Sequence, residues 1–322
     1  MSSSIKRDAN LGRVMVLGSR GMVGSACIRE LEKQSSVSEI IRVCRDQVDL
    51  GDQAATFQYI ASERPDWVVV AAAKVGGIYA NNNYPADFIY QNLAIQNHVI
   101  EGSLRANVEN LIFLGSSCIY PKHCPQPIKE EYLLSGPLEP TNEPYALAKI
   151  AGIKMCESFN RQHGTDYRSI MPTNLYGAGD NYHPENSHVI PGLIRRFHEA
   201  NETGVESVIV WGTGTARREF LFVDDLANAI VHVMQLSRTA INSVSDARLS
   251  HLNVGTGKEI TIADLAYLIR DTVGFRGELV FDKTKPDGTP RKMLDVSKLR
   301  SLGWTAKTSL EKGISETYEC FI

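Results

Sequence analysis

Four short apolar runs, separated by helical patterns, constrain the fold of this chain more than any other feature. The runs cover residues 14–17, 40–43, 67–73 and 111–114 and are mostly β-branched or otherwise apolar. Apolar and polar side chains alternate little within them, which is typical of strands that are covered on both faces. We therefore predict an α/β fold with a doubly wound parallel sheet.

The stretches between these runs show helical periodicity. Val23, Cys27 and Leu31 recur every four residues after the first run. Apolar residues also mark one face of a longer helix before the fourth run; they are Ala86, Ile89, Leu93, Ile100 and Leu104. Such spacings predict amphipathic helices that cover the sheet. A further strand is predicted at 167–171, after a helix that begins near Tyr145.

The character of the chain changes near residue 178, where a loop-like stretch gives way to mixed short helices and strands. This change predicts a second, smaller α/β lobe. The predicted divisions are a polar N-terminal tail at 1–13, a first domain at 14–178 with segments near 220–236 and 251–255 returning to it, and the smaller lobe at 179–322.

A glycine-rich turn follows the first apolar run and precedes the first helical pattern. Its glycines allow the backbone to approach a pyrophosphate, which the free N–H groups of a helix N-terminus then bind. Such a string is weak evidence by itself because an ordinary turn also contains glycines, but its place in a strand–helix series favours a dinucleotide. The predicted Rossmann-type site comprises Gly18, Ser19, Arg20, Gly21, Met22, Val23 and Gly24.

The end of the second apolar run distinguishes NAD from NADP. An NAD-binding chain commonly places an acid there, which holds the ribose hydroxyls. Here Arg45 follows the run and Arg20 lies within the glycine turn. Two guanidinium groups can clamp a 2′-phosphate, so we predict NADP(H) as the cofactor. Asp46 leaves NAD open, since it could supply the acid one residue later, and Arg45 could instead be a solvated charge.

Three residues in the first domain form a reductase pattern. Ser116 follows the fourth run, and Tyr145 and Lys149 lie four apart on a predicted helix, so that they share a face. The lysine charge is expected to favour the phenolate and lower the pKa of Tyr145. Together the three side chains can protonate a carbonyl oxygen while hydride reaches its carbon. A lone tyrosine–lysine pair also occurs on ordinary helices; the order of glycine turn, serine and pair is more specific.

This combination resembles the extended short-chain dehydrogenase/reductase family along essentially the whole chain. Strings at residues 115–121, 140–145, 171–177, 186–191 and 210–212 are, more narrowly, similar to those of the GDP-L-fucose synthases. The resemblance implies NADPH-dependent 3,5-epimerisation and 4-reduction of GDP-4-keto-6-deoxy-D-mannose, and catalytic roles for Ser116, Tyr145 and Lys149.

The resemblance also assigns an acid–base pair for epimerisation, Cys118 and His188. A 4-keto group acidifies the hydrogens on C3 and C5, and inversion needs a base and an acid on opposite faces of the ring. A thiol and an imidazole have reference pKa values of about 8.5 and 6.5, which suit proton exchange with a carbon acid. The residues alone would favour a buried structural thiol for Cys118 and a polar loop histidine for His188.

By resemblance, two further sets of residues are expected to bind ligands. The second lobe would contact the GDP-sugar through arginines that pair with a diphosphate and a tryptophan that offers a flat apolar surface; the set is Arg196, Trp211, Arg218, Asp287 and Lys292. The choice between Arg217 and Arg218, and between Arg291 and Lys292, is left open. Further cofactor contacts are expected at Asn92, Leu114, Gly115, Ser116, Ser117, Lys149, Pro172, Thr173, Asn174, Leu175 and His188.

Composition indicates the cellular compartment and the kinds of binding partner. The six cysteines show no CxxC pair, which is typical of a reducing cytoplasm. The net charge of −3 and the interspersed acids and bases exclude a nucleic-acid-binding stripe, and the apolar runs are too short for a membrane span. We expect a cytoplasmic enzyme without a bound metal, and the resemblance implies a homodimer that pairs through the helices at 93–104 and 145–159.

Two rival functions stay open on the sequence. One is a nucleotide-sugar 4-epimerase or 4,6-dehydratase of the same fold; a dehydratase commonly carries an acid pair where Ser117 and Cys118 stand here. The other is a non-catalytic NADP-binding sensor, which would tend to lose the tyrosine or the lysine. Consumption of NADPH in proportion to product separates these functions from the predicted one.

Overall fold

A six-stranded parallel sheet lies at the centre of the molecule. The computed structural model describes residues 10–184, 186–285 and 289–322. The strands of the chain are β1 (Gly12–Leu17), β2 (Val37–Val43), β3 (Trp67–Val70), β4 (Asn110–Leu114), β5 (Asp166–Pro172), β6 (Asn174–Tyr176), β7 (Ser207–Trp211), β8 (Arg217–Arg218), β9 (Phe220–Phe222), β10 (Leu252–Val254), β11 (Ile260–Thr261), β12 (Glu278–Asp282) and β13 (Arg291–Lys292). The sheet has the order β2-β1-β3-β4-β5-β10, with every neighbouring pair parallel. The predicted doubly wound fold is confirmed.

Helices cover both faces of this sheet. They are α1 (Met22–Leu31), α2 (Gln53–Glu63), α3 (Ile78–Asn83), α4 (Pro85–Arg105), α5 (Glu143–His163), α6 (Val189–Thr203), α7 (Val223–Gln235), α8 (Arg238–Asn242), α9 (Ile262–Val273), α10 (Ser297–Ser301) and α11 (Leu310–Glu319). Val14 and Val16 of β1 share a hydrophobic core with α1 and α7, whereas Met15 and Leu17 share one with α2, α4 and α5. Because both faces of β1 are buried, its sequence does not alternate.

The second half of the chain returns to the sheet. Strand β10 pairs with β5 at the sheet edge, with Leu252 opposite Ile170. Helix α7 packs against α1, and its residues Leu226 and Ile230 are fully buried in the core that contains Val14. The sheet is therefore completed by residues that lie far beyond 178, while the division into two domains stays a prediction.

A separate hydrophobic core, called the second core below, is formed by α6, α9 and the parallel pair β7 and β12. Ile190, Phe197 and Ile269 are among its fully or almost fully buried residues. Strand β7 alternates exposed and buried residues, so only one face of the pair contacts this core. Such alternation is expected for a strand with one covered face.

Strand β3 ends earlier than the third apolar run. The run continues to residue 73, but the strand ends at Val70 and the chain turns across the glycine-rich turn. Gly18 has φ +84°, and a Cβ built on it would lie 2.8 Å from the backbone nitrogen of Ala72. Close contact between these two segments therefore requires glycine at position 18.

Three very short strands form a further sheet, called the small sheet below. Strand β8 pairs with β11 in antiparallel fashion and with β13 in parallel fashion, with Lys292 opposite Arg218. The small sheet thus brings three distant parts of the sequence together. In the described part of the chain, no helix is both long and apolar enough to cross a membrane.

Candidate active site

The glycine-rich turn connects β1 to α1 at the carboxyl end of the central sheet. The backbone N–H groups of Gly18 and Ser19 both donate to the carbonyl oxygen of Val43, each at 2.9 Å. A Cβ on Gly24 would lie 2.1 Å from the carbonyl oxygen of Gly18. Helix α1 starts after Gly21, which has no side chain to cap the first N–H groups of the helix. The exposed helix start can therefore bind an anion.

Arg20, Arg45 and Asp46 lie on the surface beside this turn. Arg20 and Asp46 form an ion pair, and their side chains are 74% and 70% exposed. Arg45 is exposed as well. Because Asp46 is paired with a guanidinium group, its carboxylate is partly neutralised. The region therefore offers two arginines to a ligand rather than one unopposed acid.

Ser116 and Cys118 occupy the turn that follows β4. Ser116 caps a short 3-10 turn, Ser117–Ile119, by accepting a hydrogen bond at its Oγ from the backbone nitrogen of Cys118, 3.4 Å away. The preceding glycine packs closely on β5, since a Cβ on Gly115 would lie 2.2 Å from Sδ of Met171 and would displace that side chain. Leu114, Ser117 and Cys118 are buried. The strand end thus fixes the serine and the thiol in one rigid turn.

Tyr145 and Lys149 lie on α5 next to that turn. Nζ of Lys149 donates to the carbonyl oxygen of Leu114 at 2.9 Å and lies 5.8 Å from the centre of the Tyr145 ring. Burial lowers the pKa of Lys149 to about 8. Burial, followed by the charge of Cys118, raises the pKa of Tyr145 above its ordinary value. The expected lowering of the tyrosine pKa is therefore wrong for this structure: the phenol is desolvated, and it stays protonated at neutral pH.

Asn92 fixes the loop that follows β3. Its Oδ1 accepts from the backbone nitrogen of Lys74 at 3.0 Å, and its Nδ2 donates to the carbonyl oxygens of Lys74 and Phe88. Phe88 in turn packs edge-on against Tyr145, with ring centres 6.2 Å apart. The amide of Asn92 is thus engaged with protein groups, and it can act on a cofactor only through this loop.

The segment after β5 lies at the same end of the sheet. The backbone nitrogen of Thr173 donates to the carbonyl oxygen of Val254 at 3.0 Å. Asn174 and Leu175 are half-buried, while Pro172 and Thr173 are buried. Pro172 to Leu175 therefore form the wall next to Ser116 and Gly115, where the carboxyl ends of β4 and β5 meet.

His188 and Lys292 approach the turn from the second half of the chain. His188 is exposed at the start of α6, yet surrounding protein atoms, and then the Lys292 charge, lower its pKa. Burial raises the pKa of Cys118, while the ammonium groups of Lys292 and Lys149 lower it. Cys118 is therefore within electrostatic reach of two lysines, one from each half of the chain.

The small sheet gives different surroundings to the two members of each basic pair, Arg217 with Arg218 and Arg291 with Lys292. Arg217 and Arg291 both form ion pairs with Glu259, at 3.7 and 2.7 Å. Arg218 and Lys292, the next residues in each strand, are half-buried. The charge of Arg218 contributes to the lowered pKa of Lys292. Alternation along the strands thus directs Arg218 and Lys292 away from Glu259, and the charge of Lys292 acts on Cys118.

The remaining predicted substrate residues lie around α6 and β7. Arg196 donates to the carbonyl oxygens of Gly192 and Ile209, at 3.1 and 2.7 Å. Trp211 is 63% exposed at the end of β7, with Nζ of Lys285 5.5 Å from the centre of its ring. Asp287 lies outside the described residues. Cys118, Tyr145, Lys149 and Lys292 lie close enough for electrostatic interaction, and His188 is close enough to Lys292 for that charge to affect its pKa, while Arg196 and Trp211 lie on the β7 side.

One buried carboxylate in this region was not among the site residues predicted from the sequence. Glu219 follows Arg218 and is fully buried, and it accepts hydrogen bonds from the segments that carry Gly257 and Leu294. The available signal was a single acid at the start of the apolar run 219–223, where a charge is unusual. Spacing alone could not show which segments it holds.

Comparisons with known proteins agree with this arrangement. The model of the NAD dependent epimerase/dehydratase family matches residues 14–255. The chain is 57% identical over 310 residues to the GDP-L-fucose synthase of Escherichia coli, covering 96% of each chain, and 54% identical to GDP-L-fucose synthase 1 of Arabidopsis thaliana, covering 96% of this chain and 93% of that one. Among solved structures, a GDP-D-glycero-L-gluco-heptose synthase of Campylobacter jejuni, determined in the presence of NADPH, has a TM-score of 0.90 and 35% identity, covering 98% of this chain and 99% of that one.

Proposed function

Because the chain belongs to the NAD dependent epimerase/dehydratase family and, within it, to the GDP-L-fucose synthases, we propose that it converts GDP-4-keto-6-deoxy-D-mannose to GDP-L-fucose. The reaction comprises 3,5-epimerisation and NADPH-dependent 4-reduction. The observation that carries this proposal is the position of Cys118, which lies in the same turn as the reductase serine and within reach of both Lys149 and Lys292.

NADP(H) is the cofactor, and the glycine-rich turn fits it. The positions that a Cβ on Gly18 or Gly24 would fill are occupied by backbone atoms, so the turn can stay close to the start of α1, where N–H groups can bind a pyrophosphate. Arg20 and Arg45 would hold the 2′-phosphate, with Arg20 exchanging its exposed partner Asp46 for that group. When bound, NADPH supplies the hydride for C4.

For epimerisation, we assign proton exchange at C3 and C5 to Cys118 and His188. The charges of Lys292 and Lys149 favour the thiolate of Cys118, although burial is the larger effect and raises the pKa of the thiol. Burial and the charge of Lys292 both lower the pKa of His188 and so favour the neutral imidazole, which can accept a proton at neutral pH. An enediolate oxygen formed at the 4-keto position would be held by Ser116, Tyr145 and the charge of Lys149.

For reduction, we assign proton delivery to Tyr145. Its raised pKa keeps the phenol protonated at neutral pH, so that it can give a proton to the carbonyl oxygen. Lys149, fixed by the carbonyl oxygen of Leu114, would then stabilise the resulting phenolate through its charge. Ser116 would donate a hydrogen bond to the same substrate oxygen.

The GDP part of the substrate would be bound by the second half of the chain. Arg218 and Lys292, the strand neighbours of the two arginines that pair with Glu259, would bind the diphosphate. Arg196 lies at the β7 edge, and the exposed ring of Trp211 offers a flat surface to the base or sugar. Asp287 is included as a contact by resemblance.

We also propose an oligomeric state and a cellular compartment for the enzyme. We infer that two copies of the chain pair through α4 and α5, which pack together on one face of the sheet and expose the apolar side chains of Tyr90 and Leu147. We also place the enzyme in the cytoplasm, since all six cysteines are free, as expected in a reducing compartment. The domain boundaries at residues 13 and 178 are retained as proposals.

One assay tests the reaction. The enzyme is mixed with GDP-4-keto-6-deoxy-D-mannose and NADPH in deuterium oxide. We expect one NADPH to be oxidised for each GDP-L-fucose formed, with deuterium incorporated at C3 and C5. Product without NADPH oxidation would indicate an epimerase instead, and oxidation without deuterium uptake would exclude the epimerisation step.

A further inference from the structure

Glu219 connects the segments that surround the site. It lies between β8 and β9 and is fully buried. Its Oε1 accepts hydrogen bonds from the backbone nitrogen of Gly257 at 2.7 Å and from Oγ1 of Thr256 at 3.4 Å. Its Oε2 accepts from the backbone nitrogen of Leu294 at 2.8 Å. The side chain thus joins the loop after β10 to the chain just beyond β13.

The main chain of Glu219 makes a separate connection. Its carbonyl oxygen accepts from Oγ1 of Thr173 at 3.2 Å and from Nδ2 of Asn174 at 2.8 Å. Both of these residues belong to the segment that we assign to the cofactor. The main chain of Glu219 therefore contacts the cofactor-side segment, at Thr173 and Asn174. Its carboxylate contacts the segments at Gly257 and Leu294, called the substrate-side segments below.

The chemistry at this position requires a carboxylate. Each oxygen of Glu219 accepts a hydrogen bond from a backbone N–H group. A glutamine would have to present its own NH₂ group to one of these donors, and that donor would be left buried and unsatisfied. Space is also restricted, because a Cβ on Gly255 would lie 2.3 Å from Oε1 of Glu219.

We propose that Glu219 is a positioning residue that holds the substrate-side segments in register with the cofactor-side segment. Leu294 lies two residues after Lys292, and Arg218 directly precedes Glu219. Holding Leu294 therefore fixes where Lys292 stands relative to Cys118. This inference rests on the proposed function, since that function assigns Arg218 and Lys292 to the GDP-sugar.

The test compares E219Q with the unchanged enzyme in two binding measurements and one kinetic measurement. We expect KM for the GDP-keto sugar and Kd for GDP to rise about tenfold, the effect of losing one hydrogen bond to a charged group. The Kd for NADPH should change by less than about twofold, because the backbone contacts to Thr173 and Asn174 remain. E219D retains the charge but is one methylene shorter, so its values should lie between the two.

A matched control distinguishes positioning from general loss of stability. Glu157 on α5 is also a buried carboxylate that accepts a hydrogen bond from a backbone nitrogen, that of Ser250 at 3.1 Å. E157Q should lower the melting temperature but leave KM and the Kd for GDP unchanged. If E219Q does not fold, E219D is compared with E157Q in the same way.

The outcomes separate this inference from the proposed function. Equal KM and equal GDP affinity in the Glu219 variants and the unchanged enzyme would overturn the positioning role. Parallel loss of NADPH and GDP binding would overturn it as well, since it would indicate a general structural role. If the unchanged enzyme binds GDP but oxidises no NADPH with the keto sugar, the proposed reaction fails, and GDP binding still tests Glu219.

Discussion

Lys149 and Tyr145 retain their protons at neutral pH for different physical reasons. Burial lowers the pKa of Lys149 only to about 8, and its Nζ is anchored 2.9 Å from the carbonyl oxygen of Leu114. Burial raises the pKa of Tyr145, because its charged form would be desolvated. A charged lysine beside a neutral phenol suits a site that delivers a proton to a carbonyl oxygen.

Cys118→Ser tests the role of the thiol. A serine hydroxyl has a far higher pKa than a thiol and cannot exchange protons with a carbon acid at neutral pH. We expect deuterium uptake at C3 and C5 to fall by about 10²- to 10⁴-fold, the usual contribution of general acid–base catalysis, while NADPH binding is retained. Cys124→Ser is the matched control, since Lys292 also acts on that thiol. Unchanged product formation by Cys118→Ser would remove Cys118 from the mechanism.

At the residue scale, some of the site follows from the sequence and some does not. The strand-end position of Ser116 and the four-residue spacing of Tyr145 and Lys149 predict that these groups share one edge of the sheet. The raised pKa of Tyr145 was not predictable, because it depends on how deeply the ring is buried. The approach of Lys292 to Cys118 was not predicted, since no local pattern connects residues so far apart, and the resemblance assigned Lys292 only to the GDP-sugar.

The glycine-rich turn and helix α1 act as one element, and Gly24→Ala tests their contact. The added Cβ would lie 2.1 Å from the carbonyl oxygen of Gly18, so that the start of α1 must move away from the turn. We expect the Kd for NADPH, measured by fluorescence titration, to rise at least about tenfold, as after loss of one charge-assisted hydrogen bond. In Gly136→Ala the new Cβ is 3.5 Å from Cβ of Pro121, and affinity should not change. Normal binding by Gly24→Ala would contradict this assignment.

Elements differ in how well the sequence predicts them. The central strands and helices α1, α4 and α5 are long and have clear periodicity, so they were predicted with small errors at their ends. The small sheet was not predicted, because strands of two residues carry no period. Its existence depends on pairing between Arg218 and Lys292, which only the folded chain brings together.

The proposed dimer is a property of the whole molecule. Leu147 and Ala151 are exposed on α5, and we propose that they face the second copy. Replacement of both by arginine should place charges in that interface and separate the copies. In sedimentation equilibrium we expect the unchanged enzyme at twice 35.6 kDa and the double variant at 35.6 kDa. Val205→Arg, which alters an exposed apolar residue beyond α6, should remain dimeric. A dimeric double variant would contradict the proposed interface.

The return of β10 and α7 to the central sheet determines how the gene can be divided. A recombination point near residue 178 falls in a loop, and the sequence alone would suggest that the fold tolerates it. A fragment ending there would nevertheless lose helix α7, which packs on α1, and would open the hydrophobic core that contains Val14, Val16 and Ile112. Exposed apolar area of that kind promotes aggregation. A functional chimaera between relatives must therefore exchange the region before 178 together with residues 220–255 as a single unit.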